Sequence, residues 1–165
     1  MRVIEIWSGG QTGVDRAALD TAIELGLPYG GWVPRGRRAE DGTVPERYSS
    51  LREAASSEYD ERTAQNVRDT DATLVLAWGS PGGGTLRTIE AAGALGRPLL
   101  EVDLAAARVD IAATQIAAWL DSISLLERLN VAGPRASEAP RAYERARVLL
   151  ARVFGLSRDR GNGIA

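Results

Sequence analysis

Val3-Ile4-Glu5-Ile6-Trp7-Ser8-Gly9-Gly10-Gln11-Thr12-Gly13-Val14-Asp15-Arg16 sets the reading of this chain. An apolar run of strand length enters a Gly-rich turn, and Val14, Ala18, Ala22 and Leu25 then recur at helical spacing. A strand that turns tightly into a helix presents free backbone N–H groups, at the positive end of the helix dipole, to an oxyanion. Gly9, Gly10 and Gly13 let the backbone come close to a ligand because they carry no Cβ. Ser8 and Thr12 add hydroxyls, Gln11 an amide, and Asp15 and Arg16 open the helix. Thr12, with Asp15 three residues on, has the spacing of a capping box.

The unit recurs. Ala72-Thr73-Leu74-Val75-Leu76-Ala77-Trp78 is the most strand-like run of the chain, and Gly79-Ser80-Pro81-Gly82-Gly83-Gly84-Thr85 follows it. Consecutive glycines are costly to order unless something must approach the backbone, so Gly79, Gly82, Gly83, Gly84 and Thr85 join the candidate site. Further strands are expected at 29–33, 99–103 and 128–132, and helices at about 58–69, 85–95, 110–122 and 139–154. Alternation of this kind specifies an α/β fold with a mostly parallel sheet and helices on both faces. Ligands in such sheets bind at the carboxyl ends of the strands, where both Gly loops fall. One anionic ligand held between the two loops is the expectation. The competing reading of each loop is a tight strand–helix connection and nothing more.

The first loop is not a dinucleotide fingerprint. Its glycines are spaced G-G-x-x-G, and Arg35, Arg37 and Arg38 stand where an acidic ribose-binding residue would be expected. Nor does Gly-Lys-Ser/Thr follow, as a Walker loop requires. The segment Pro34-Arg35-Gly36-Arg37-Arg38-Ala39-Glu40-Asp41-Gly42 places three guanidiniums at the carboxyl end of a strand, where they could close over an anion. Tyr59, Arg62 or Thr63, and Asn66 share one helical face and could line a pocket, although an exposed face looks the same. Asp69 and Asp71 read as turn-closing residues. Trp32 and Trp78 lie near strand ends and are the tryptophans to consider as ring platforms.

Composition bounds the function. The 165 residues, 44% hydrophobic and 25% charged, fit one domain, taken as 1–155 with an unstructured tail at 156–165. A net charge of -2, with no aromatic ladder beside the arginines, points away from nucleic acid as a partner. There is no Cys and no His, which removes thiolate and imidazole metal ligands and both common nucleophile–base arrangements. No stretch approaches the roughly 18 apolar residues of a membrane span, and the N-terminus lacks the pattern of a signal peptide. A cytoplasmic location and no membrane partner are expected.

Two further runs, Arg62-Thr63-Ala64-Gln65-Asn66-Val67-Arg68-Asp69-Thr70-Asp71 and Leu129-Asn130-Val131-Ala132-Gly133-Pro134-Arg135, complete a likeness. Together with Ser8–Asp20, Gly30–Gly42 and Gly82–Thr85, they make residues 3–154 resemble the molybdenum carrier family, the molybdenum cofactor carrier-like proteins. The resemblance implies a Rossmann-like three-layer sandwich, a homo-oligomer, and binding and delivery of molybdenum cofactor (molybdopterin) as cargo, without catalysis, to molybdoenzymes as recipients. The wider superfamily includes the cytokinin-activating phosphoribohydrolases, whose Pro-Gly-Gly-x-Gly-Thr-x-x-Glu loop grips a nucleotide phosphate and supplies a catalytic Glu. This chain is one residue shorter there, Pro81-Gly82-Gly83-Gly84-Thr85, and has Thr88 in place of the Glu. Two alternatives stand beside the carrier: a non-catalytic nucleotide-sensing module, and a nucleoside 5′-monophosphate phosphoribohydrolase. The second would need Asp15, Asp41 or Glu90 as its acid or base.

Overall fold

Residues 4–159 are described by a computed structural model, with their side chains as far as residue 155. Five parallel strands form the central sheet: β1 (Glu5–Trp7), β2 (Tyr29–Gly30), β7 (Ala72–Ala77), β8 (Leu99–Asp103) and β9 (Arg128–Ala132). Their order across the sheet is β2-β1-β9-β7-β8. Helices α1 (Val14–Glu24), α4 (Val109–Ser122) and α5 (Ala142–Asp159) pack together on one face, and α2 (Tyr59–Arg68) and α3 (Gly83–Leu95) on the other. This is a Rossmann-like three-layer sandwich.

Side-chain alternation along the strands explains the layering. Leu74 and Leu76 of β7 join Leu129 and Val131 of β9 in a core completed by Ala17, Ala18, Ile116, Leu149 and Leu150. The opposite side of the same strands carries Thr73 and Asn130, whose side chains hydrogen-bond to each other at 3.4 Å. The sheet face under α2 and α3 is therefore partly polar, and the cavity described below opens there.

The expected strand at 29–33 is interrupted. Gly31, with φ +135°, separates β2 from β3 (Trp32–Val33), and only glycine fits there, since a Cβ would lie 2.0 Å from the Ser8 carbonyl oxygen. The chain turns there and β3 pairs instead with β6 (Arg52–Glu53). The Arg-rich segment is also ordered more than a loop. It forms the hairpin β4 (Arg38–Ala39) and β5 (Gly42–Thr43) and a second small core of Leu19, Val33, Ala39, Val44, Tyr48 and Leu51. Helix α5 continues to Asp159, past its expected end at 154. Of the stretch read as a tail, residues 160–165 lie outside the described residues. No helix among the described residues is long and apolar enough to cross a membrane.

Candidate functional site

At the carboxyl ends of β1, β9 and β7 a cavity of about 270 Å³ opens under α2 and the start of α3. Its volume is close to the lower end of small-molecule sites, roughly 300–1,000 Å³. A second hollow of about 250 Å³, lined by Trp78, Pro81, Gly82 and Pro134, adjoins it. Gly83, Thr85 and Glu138 belong to both walls.

Helix α3 presents at its start the kind of groups an anion would use. Gly82 is its N-cap, and no side chain caps it. The first N–H groups of a helix have no partner within the helix. Gly82 and Gly84 have nothing within 4 Å of where a Cβ would stand, so the approach to this helix start is open. Thr85 is 4% exposed, and its Oγ1 is buried without a hydrogen-bond partner. A buried hydroxyl in that state costs about 1–3 kcal/mol. This one lines a cavity in which a ligand oxygen would relieve the cost.

The first Gly loop contributes its flank rather than its turn. Gly9, Gln11 and Asp15 line the cavity. Asp15 Oδ2 accepts from the Gln11 N–H at 3.2 Å and from Arg62 Nη1 at 3.3 Å, while Arg62 Nη1 also donates to the Gly9 carbonyl at 2.5 Å. Burial pushes the Asp15 carboxyl above the usual carboxylate range, and the Arg62 guanidinium beside it pulls the other way. A Cβ at Gly9 would fall 1.6 Å from Arg62 Nη1, so a side chain here would push the guanidinium off the Gly9 carbonyl and Asp15. The capping box read from Thr12 and Asp15 does not form, because Gly13 is the N-cap of α1 and no side chain bonds to it. Thr12 Oγ1 instead donates to Glu40 and accepts from the Ala136 N–H. Ser8 Oγ is buried and donates to the Val131 carbonyl at 2.8 Å. Gly10 and Gly13 fit against Val33 and Val44, and against the Pro134 carbonyl, respectively.

The arginine segment is placed differently from the expectation. Arg35, Gly36, Arg37 and Arg38 are absent from the cavity wall. Arg37, at φ 55°, donates to the carbonyls of Val44, Pro45 and Tyr48 and so holds its own loop together. Arg38 bonds the Ser57 carbonyl and stacks 5.2 Å from the Tyr59 ring centroid. The Gly36 N–H donates to Glu53. Arg16 forks onto Asp41 at 2.5 and 2.8 Å, and the Gly79 N–H donates to Asp103. Asp41 and Glu90 also stay off the wall, leaving Asp15 as the one of the three considered carboxylates that faces the cavity.

The polar stripe Tyr59, Arg62, Thr63 and Asn66 does line the cavity. Trp78 lines the second hollow, whereas Trp32 Nε1 donates to Asp69 at 2.8 Å and is framework. Asp71 accepts from the Glu127 and Arg128 N–H groups, joining β7 to the entry of β9. The strand β9 and its loop also line the cavity, through Asn130, Ala132, Gly133, Arg135 and Glu138, beyond the residues the sequence singles out. So do Asp60, Arg87 and Thr88. The available signal was position, since Ala132-Gly133-Pro134 is a third strand end that runs into a helix.

The model of the circularly permutated YpsA SLOG family matches residues 6–154. A crystal structure of a "putative molybdenum carrier protein" from Syntrophus aciditrophicus SB is similar, with 45% sequence identity and a TM-score of 0.89. The match covers 93% of this chain and 96% of that one. No curated protein matches. The sheet order agrees with the family description. Placing β9 and α5 ahead of β1 would convert β2-β1-β9-β7-β8 into the order 3-2-1-4-5 of a doubly wound nucleotide-binding sheet. The chain belongs to the circularly permutated YpsA SLOG family.

Proposed function

We propose that the chain is a carrier that binds a small phosphorylated heterocyclic ligand in the cavity, and that this cargo is molybdenum cofactor. The observation that carries the reading is the uncapped start of α3 with the buried, unpartnered Thr85 hydroxyl inside it. A phosphate there would take the free N–H groups and that hydroxyl together. Asn66 on this wall is held to the Trp32 backbone through both ends of its amide, so the Gln11 amide N–H groups and the Asn130 amide oxygen would serve the donor and acceptor edge of a ring. The volume also favours an organic phosphate over a bare tetrahedral oxyanion, which takes the space of only a few waters at ~30 Å³ each. Among the described residues no group of three or more Asp, Glu, His or Cys side chains could hold a metal ion. A cargo metal would therefore arrive already coordinated, as an oxyanion or on an organic ligand. The molybdenum assignment draws on the similarity to the Syntrophus protein.

Gentle purification, followed by mass spectrometry and metal analysis of the denatured supernatant, tests this. Molybdenum together with an oxidised molybdopterin product, near one per chain, is the expected result. A nucleotide without metal would sink the molybdenum assignment and leave a nucleotide-binding site.

A further inference from the structure

Three arginines line the cavity, and each is matched by a carboxylate on the same wall. Arg62 faces Asp15 at 3.3 Å, Arg135 faces Glu138 at 3.1 Å, and Arg87 is paired with Asp60. The wall is thus formally neutral, a poor match for an anionic ligand unless some of these pairs can open.

They differ in how firmly they are built. Arg62 and Asp15 are both buried, and Arg62 is also bonded to the Gly9 carbonyl, so this pair is part of the architecture. The other two stand at the rim. Side-chain exposures are 57% and 59% for Arg87 and Asp60, and 41% and 38% for Arg135 and Glu138. Solvent-exposed pairs of this kind stabilise by about 0–1 kcal/mol and exchange partners cheaply.

Their placement gives the exchange a direction. Arg87 lies three and four residues beyond Gly84 and Gly83, and so on the face of α3 that carries the open helix start. Glu138 is on the other side of that start, with Oε1 3.3 Å from where a Cβ of Gly83 would be. Both carboxylates therefore occupy cationic or N–H-rich ground that an arriving anion would use. The unpartnered Thr85 hydroxyl marks the same spot independently.

We propose that Asp60 and Glu138 are resident counter-anions of the empty site, displaced when the ligand's anionic group takes Arg87 and the start of α3. The proposal rests on the anion-site reading above and adds a selectivity rule. An anion must outcompete two tethered carboxylates, so one with a further body to bind along Gln11 and Asn130 is favoured over free phosphate.

The test is calorimetric titration of the purified protein and its variants with inorganic phosphate, the smallest probe of the anion subsite. Asp60→Asn and Glu138→Gln should each bind phosphate roughly threefold to tenfold more tightly, because an internal competitor has been neutralised. Arg87→Gln should lose roughly tenfold. In Arg87→Gln the added Asp60→Asn change should bring no gain, since Asp60 competes only for Arg87. Phosphate binding that Asp60→Asn and Glu138→Gln leave unchanged or weaken overturns the counter-anion role while the anion site stands. No phosphate binding by the wild type or either carboxylate variant overturns the anion site, and this proposal with it. Because Asp60 and Glu138 are rim residues, unchanged melting curves separate these effects from folding.

Discussion

Asp20 is 8% exposed, yet it is a fully partnered carboxylate. It accepts from Tyr48 Oη at 2.7 Å and Tyr143 Oη at 2.5 Å, and Arg47 Nη1 stands 2.9 Å away. Those donors come from the segment after β5 and from α5, so one α1 side chain joins three parts of the molecule. Burial alone would raise its pKa, but the hydrogen bonds from Tyr143, Tyr48 and Arg47 bring it below the usual carboxylate range. The same contact, with burial, pushes the Tyr48 phenol upward. A carboxylate with a depressed native pKa contributes stability above its unfolded value, and that contribution is lost as pH falls through the native value. We therefore expect Asp20→Asn to cost about 1.5–3 kcal/mol at pH 7. The difference from wild type should shrink below about pH 4, where the unfolded carboxyl begins to protonate. Urea unfolding at pH 7 and pH 3 measures both; a difference independent of pH would rule out the charged form as the stabilising species.

At the level of the element, the proposed anion site would set stability against binding in α3. Its first turn is glycine, glycine and threonine, a weak start for a helix on propensity alone. It also carries a buried hydroxyl with no partner. Thr85→Val keeps the shape and removes that hydroxyl. In the unliganded protein the change should be neutral or stabilising by up to about 1 kcal/mol, because an unsatisfied polar group is gone. Phosphate affinity should fall about tenfold, in line with one lost hydrogen bond to a charged group. Thermal unfolding and titration together decide it. A variant that loses stability and keeps affinity would make Thr85 part of the framework and remove it from the site.

At the scale of the whole molecule, the sheet order places the cavity where the strand order reverses. β9, last in sequence, lies between β1 and β7 at the centre of the sheet. The loops after β1, β9 and β7 consequently meet at one end, which is the crevice where open α/β sheets bind ligands. Contacts between those loops lock the arrangement: Glu40 accepts from Thr12 of the first Gly loop and from Ser137 after β9. Since α5 packs on α1, the unit of β9 and α5 sits beside the element it would precede. A permuted chain that begins near Leu126 and joins the old termini with a flexible Gly/Ser linker should fold cooperatively. Its amide NMR spectrum should match the natural chain away from the new junctions. Loss of cooperative unfolding would show that the natural connectivity between α4 and β9 is itself required.

The sequence by itself determined the layered α/β class, because strand and helix periodicities and their Gly/Pro punctuation are local properties. It determined that Gly82–Thr85 opens a helix after the strongest strand, and that Tyr59, Arg62 and Asn66 share a face. It could not distinguish a glycine that admits a ligand from one that admits the rest of the protein. Gly10 and Gly13 serve the second purpose, against Val33, Val44 and Pro134, which are distant in the chain. It also could not assign partners to charges. Arg37 and Arg38 are held by carbonyls of their own neighbourhood, while Arg87 and Arg135, unremarkable in the sequence, reach the cavity. Only the tertiary structure decided that β9 sits at the centre of the sheet. Parallel strands are joined by long crossovers that can pass over a neighbouring strand, so sequence order leaves spatial order open, and a cavity built where three strand ends converge depends on that order.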